Sequence, residues 1–292
     1  MKHIRILIAA FLLVSVTACT ARYIRQAQDE FSRGARLENA ALVRGYDVDF
    51  NHLAEDPGPA YRISLSLVNR ELDENEGELR RDKLYGTALM LKAMCLWRLA
   101  SDRSGQRAGV EGTKVLVLAQ SAEDPIRTEE TGAKVKNESA ASRDELNAVI
   151  HKVRTEVGAG RIVLGQRDHA MLNALPGLMD HDMGLQAKTY EEAERFFRSA
   201  LAVLERTVRD KALVSPGSQM AIYLRLAMLS TCRAWHYAAF AFHADDNSSA
   251  KRKAKPSEEK AKEIIGELEP LAKGDNRLDN AIKRMKARMG IL

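Results

Sequence analysis

The sequence predicts an all-α protein, on three observations. Apolar residues in nearly every strongly patterned segment recur at helical spacing. Strand-like alternation is almost absent. The periodic segments are separated by helix-breaking punctuation at Pro57-Gly58-Pro59, Ser104-Gly105, Gly158-Ala159-Gly160, Ser215-Pro216-Gly217 and Gly274.

Taken in order, the first periodic segment runs from Arg22 to Arg44, with Ile24, Ala27, Phe31 and Ala35 along one side. Helices follow at Ala60 to Leu72 and Arg80 to Asp102. Ser142 with Glu145 three residues on forms a capping box, in which each side chain satisfies a free amide of the first turn, ahead of Leu146, Val149, Ile150, Val153 and Val157. Gln166 to Asp180 is the next helix. Tyr190 to Val208 has the clearest pattern, with Ala193, Phe196, Phe197, Ala200, Leu201, Leu204 and Val208 on one face and a second capping box at Thr189 and Glu192. Ser218 to His243, Ser257 to Lys273 and Leu278 to Met289 complete the set. Two β-branched runs, Lys114 to Leu118 and Arg161 to Leu164, have no third strand partner in view and are read as helix turns.

Residues 121–141 are polar, mixed in charge and free of aromatics, which predicts a mobile loop between an N-terminal helical half at 19–120 and a C-terminal helical half at 142–292. Ala244 to Pro256 reads as a second loop. Its Lys251-Arg252-Lys253 run is either a solvated connection or a contact for anionic lipid headgroups.

The chain opens with Lys2 and Arg5, then an apolar run from Ile6 to Val16 broken only by Ser15. That run has the layout of an export signal and is too short for a comfortable membrane span. Directly behind it, Val16-Thr17-Ala18-Cys19 resembles the lipobox of bacterial lipoproteins. The resemblance implies that residues 1–18 are removed and that Cys19 carries a thioether-linked diacylglyceryl group, usually joined by an amide-linked acyl chain such as palmitate. Two or three chains anchor firmly, at ~0.8 kcal/mol for each buried methylene. Thr20, where an inner-membrane retention signal would have Asp, favours the periplasmic face of the outer membrane. A helix starting at Arg22 leaves almost no tether, so the body should ride close to the bilayer.

Tyr190 to Leu201 resembles the second helix of a tetratricopeptide repeat, with Ala193, Phe197 and Ala200 in its small, aromatic and small places. Ala27, Phe31 and Gly34 repeat the spacing, and Ala261, Ile265 and Leu268 follow it more loosely. The resemblance implies helical hairpins stacked as a short irregular solenoid that buries a continuous core. The preceding helix lacks the family's Trp, Leu-Gly and Tyr pattern, and no strict 34-residue period holds.

The formal net charge of +5 falls when Lys2 and Arg5 leave with the signal. The pI of about 9.0 therefore makes no case for nucleic acid, and the exported compartment argues against it. Cys95 and Cys232 lie in apolar helices beside Trp97 and Trp235, as buried thiols or as a disulfide between the halves.

Catalytic signatures are missing: there is no His-Glu-x-x-His and no Gly-x-Ser-x-Gly, and Gly109 to Lys114 lacks the spacing of a phosphate loop. No enzymatic activity and no cofactor are expected. Asp168-His169 and Asp180-His181-Asp182 would make a weak metal-ligand set if Leu175-Pro176-Gly177 turned the two groups together, and otherwise face solvent. Trp97, Trp235, Tyr237 and Phe240 are candidates for lining a ligand groove, with the core of a long helix as the alternative. The expected role is a periplasm-facing scaffold that binds an envelope protein partner. The second expectation is an accessory of solute uptake, similar to the lipoproteins that accompany TRAP-type transporters, binding a small molecule and a solute-binding protein.

Overall fold

The computed structural model describes residues 22–37, 57–101 and 129–291. The export signal at 1–18, Cys19, the Lys114 to Leu118 run and residues 121–128 of the expected loop lie outside the described residues, whereas residues 129–141 of that loop are helical. Among those described there are ten helices and no strand, as the periodicity predicts. They are α1 (22–37), α2 (Gly58–Glu74), α3 (Glu76–Arg81), α4 (Tyr85–Ala100), α5 (Glu129–Gly158), α6 (Gln166–Leu185), α7 (Tyr190–Arg209), α8 (Gln219–Phe242), α9 (Asn247–Leu268) and α10 (Asn276–Met289). None of these helices is long and apolar enough to cross a membrane.

The chain forms two compact units that divide between Leu164 and Gly165. The division differs from the one expected at 121–141, because α5, which begins within that stretch, belongs with the N-terminal helices from residue 131 on. In the first unit α4 is buried on nearly all sides, through Leu89, Met90, Cys95, Leu96 and Trp97. The ring of Tyr61 on α2 lies where a Cβ on Gly34 of α1 would stand, 2.7 Å from its nearest ring carbon. Ser64 Oγ donates to Ala27 O at 2.7 Å and accepts from Cys95 Sγ at 3.2 Å, tying α1, α2 and α4 together. Lys92 of α4 pairs with Glu145 of α5 at 2.7 Å.

The single helix expected from Arg80 to Asp102 is broken at Asp82 and Lys83. Lys83 adopts φ 59°, and Leu84 N–H returns to Leu79 O at 2.8 Å, a left-handed cap that no glycine announces. α5 begins at Glu129, so Ser142 sits inside a helix and caps nothing. Arg161 to Leu164 is neither helix nor strand, and not the expected helix turn. Ile162 is buried, and Leu164 reaches the bare surface of Gly86 on α4, where a Cβ would lie 3.0 Å from Leu164 Cδ2.

In the second unit α6, α7, α8 and α9 pack in sequence order, each on the next, and α10 lies against α8 and α9. The Thr189 cap is present: Thr189 Oγ1 accepts from Glu192 N at 3.2 Å, while the Glu192 carboxylate accepts from Lys188 N at 3.0 Å. Pro176 and Gly177 make no turn, because α6 runs through both. The proline forfeits one helical hydrogen bond, but burial of Leu172, Ala174, Leu175 and Leu178 holds the helix. Gly177 admits Ala200 O of α7, which stands 3.0 Å from where its Cβ would be. At Gly184 the ring of Phe197 comes closer still, at 2.5 Å. α9 likewise starts ten residues before the expected Ser257. Asp246 caps it by accepting from Ser249 N at 3.0 Å, and Ala250, Ala254, Ser257 and Ala261 form its buried edge. The Lys251-Arg252-Lys253 run is therefore helical, not a loop.

Candidate functional site

The densest chemistry of the second unit gathers on the C-terminal third of α8. Trp235, 2 % exposed, donates from Nε1 to Tyr190 OH at 2.9 Å. Tyr190, at the first position of α7, passes its own hydroxyl proton to Lys253 O on α9 at 3.0 Å. Lys253 Nζ lies 4.8 Å from the Tyr190 ring centroid, and the Arg198 guanidinium lies 4.5 Å from that of Trp235. His243 meets the Tyr190 ring edge-on at 5.0 Å. Burial pushes the Tyr190 hydroxyl up to about 12, so it works as a hydrogen-bond relay and not as an acid at neutral pH. The cluster joins α7, α8 and α9.

On another side of α8, His236 lies 3.2 Å from Glu258 Oε1, out of line for a well-directed hydrogen bond. Its ring contacts Phe240 at 5.0 Å and Tyr237 at 5.7 Å. Tyr237 is 36 % exposed, and its hydroxyl reaches Arg288 O on α10 at 3.5 Å. Burial lowers the His236 pKa below its ordinary 6.5, against the opposing pull of Glu258. A histidine whose folded pKa is depressed contributes stability that is complete above 6.5 and is lost as pH falls below it. The urea midpoint of the second unit should accordingly decline from about pH 6.5 downward, and His236→Asn should flatten that decline. An unchanged slope in the variant would assign the dependence to other groups.

The three proposed groove residues on α8 do not share one face. Trp97 belongs to the first unit, 3 % exposed, with the Arg98 guanidinium 3.9 Å from its ring centroid. Trp235 and Tyr237 are two residues apart on a helix and so diverge by about 200° around its axis. Trp235 faces α7, while Tyr237 reaches α10. Only Tyr237 and Phe240 converge, through the His236 ring.

The proposed metal ligands do not meet either. Asp168 and His169 stand in the first turn of α6, and His181 and Asp182 stand in its last. At 1.5 Å per residue the two groups are about 18 Å apart along one continuous helix. His181 Nδ1 is instead 3.0 Å from Thr231 Oγ1, whose proton goes to Ala227 O, and Asp180 accepts from Ser199 at 2.6 Å. Among the described residues no group of three or more His, Cys, Asp or Glu side chains is placed to hold a metal ion.

Cys95 and Cys232 are both free and buried, and burial pushes each thiol up to about 12. Neither thiol is a nucleophile at neutral pH. Sequence reasoning missed Glu156, in the last turn of α5, which accepts from both nitrogens of the Arg161 fork at 3.0 and 3.1 Å and from Arg80 at 3.0 Å. These arginines hold its carboxyl down at about 2. The pairing spans Arg80 to Glu156, and only the fold brings those positions together.

Comparison with protein-family models, curated proteins and solved structures finds no match to this chain.

Proposed function

We propose that this chain is a lipid-anchored helical-repeat scaffold of the bacterial envelope, held by acyl chains on Cys19 and recruiting another envelope protein. The observation that carries the repeat reading is a contact made twice. A helical glycine accepts a fully buried ring from the next helix at Gly34 with Tyr61 and again at Gly184 with Phe197. Ala193 and Ala200, the small residues flanking Phe197, are wholly buried, as are Ala261 and Leu268 on α9. Close approach of small and large residues lets hairpins stack at short distance, which is the packing that tetratricopeptide-like arrays use. The lipobox-like Val16-Thr17-Ala18-Cys19 supports the anchor.

The test has two arms. Labelled palmitate should enter the wild-type chain and not the Cys19→Ser variant; equal labelling of the two removes the anchor. Crosslinking in intact cells, followed by recovery from detergent-solubilised membranes, should return one partner in stoichiometric amount. Recovery of the chain alone removes the scaffold.

A further inference from the structure

We propose that the end of the first unit at which α1 begins is a second membrane contact, with Val163 set into the headgroup layer of the bilayer that holds the acyl chains. The inference rests on the anchored reading and names the face that the anchor turns toward the membrane. Cys19 stands three residues before Arg22, so whatever path the chain takes, the anchored cysteine lies within about 11 Å of the first turn of α1.

The packing of the first unit decides what else lies at that end. α1 and α2 run antiparallel, since Gly34 meets Tyr61, Ala27 meets Ser64 and Tyr23 meets Arg70. α2 and α4 are antiparallel as well, because Ser64 meets Cys95 and only residues 75–84 separate the end of one from the start of the other. α5 returns along α4, with Glu145 on Lys92, Lys152 5.5 Å from the Tyr85 ring centroid and Glu156 on Arg80. The start of α1, the end of α2, the start of α4 and the end of α5 therefore share one end. Leu164 seats on Gly86 in the first turn of α4, so the loop after α5 lies there too.

Val163 is the apex of that loop. It is 88 % exposed, whereas no other large apolar side chain among the described residues exceeds 45 %. Buried Ile162 on one side and Leu164 on the other hold it outward. Gly158, Gly160 and Gly165 have nothing within 4 Å of their absent Cβ atoms, so the loop is open to a flat surface. A single exposed valine is ordinary on a protein surface, but this one stands at the anchored end. The charges beside it are paired: Arg161 and Arg80 share Glu156, and Arg80 also holds Glu76. The contact is thus apolar and needs no particular headgroup charge.

The test uses the full acylated chain on vesicles of phosphatidylethanolamine and phosphatidylglycerol, with a reporter thiol from Ala159→Cys or Ala141→Cys. Both positions are exposed, and they stand about 27 Å apart along the line of α5. Cys95 and Cys232 are buried and do not compete for reagent. A membrane-impermeant maleimide should react with the Ala159→Cys thiol about tenfold more slowly than in the same chain carrying Cys19→Ser, since burying one valine favours the docked orientation by about that factor. The Ala141→Cys thiol should react equally fast in both. Adding Val163→Asp should restore fast reaction at position 159. Equal rates at position 159 with and without the anchor, in a chain that sediments with the vesicles, overturn the proposal and leave the anchor standing. Equal protection of both thiols, or protection that survives Val163→Asp, overturns it too. A chain that fails to sediment removes the anchor, and the docked end with it.

Discussion

Replacing Phe197 by alanine should destabilise the second unit by about 3–5 kcal/mol, the range for deleting a buried aromatic ring. Phe197 is 1 % exposed, and its ring occupies the space over Gly184 of α6. The same contact makes a second substitution diagnostic. Alanine ordinarily gains ~1 kcal/mol over glycine inside a helix. At Gly184 the new methyl would stand 2.5 Å from Phe197 Cε1, and overpacking of that kind costs about 1–3 kcal/mol. Gly184→Ala should therefore destabilise the wild-type chain and stabilise the Phe197→Ala chain, where the cavity receives the methyl. Gly266, exposed on α9 with nothing within 4 Å of its absent Cβ, is the control, and Gly266→Ala should show only the helical gain. Urea midpoints of the five chains decide it. Additive effects of Gly184→Ala and Phe197→Ala would mean that the ring and the glycine do not share a contact.

Trp235→Ala should cost a similar ~3–5 kcal/mol, because it removes a buried indole and also leaves Tyr190 and Arg198 without the ring they meet. Trp235→Phe keeps most of the volume and should lose about 1 kcal/mol, the worth of the hydrogen bond from Nε1 to Tyr190. A ring lining an open groove would behave differently, since its loss would spare thermal stability. Denaturation of the two variants separates these cases, and an unchanged midpoint for Trp235→Ala would return the residue to the list of ligand contacts.

What the sequence made legible follows from which forces act locally. α8 was expected from Ser218 to His243 and spans Gln219–Phe242, since a long apolar pattern with polar ends leaves little choice. Thr189 caps α7 as expected, because a cap is a contact across three residues. The first half of α9 was not legible. Its buried edge is alanine and serine, which give no apolar signal, and its cations resemble a solvated loop. Pro176-Gly177 misled for the opposite reason: a strong turn signal was overridden by burial on both sides and by the close approach of Ala200. The candidate site was half legible. Residue types identified Trp235, Tyr237 and Phe240, but helical geometry already separates Trp235 from Tyr237. The Tyr190 relay and the Glu156 pairing depend on contacts over 45 and 76 positions, which no local pattern encodes.

The first unit is assembled from two stretches of chain, and α4 receives its partner α5 only from residues beyond 131. A chain threading outward from its N-terminus would thus present α4, with its nearly continuous apolar surface, well before Glu145 and Glu156 arrive to pair with Lys92 and Arg80. Non-local closure of this kind delays folding and leaves apolar surface bare in the meantime. During synthesis, that half of the molecule would keep apolar surface open to wrong partners until the later segment joins it.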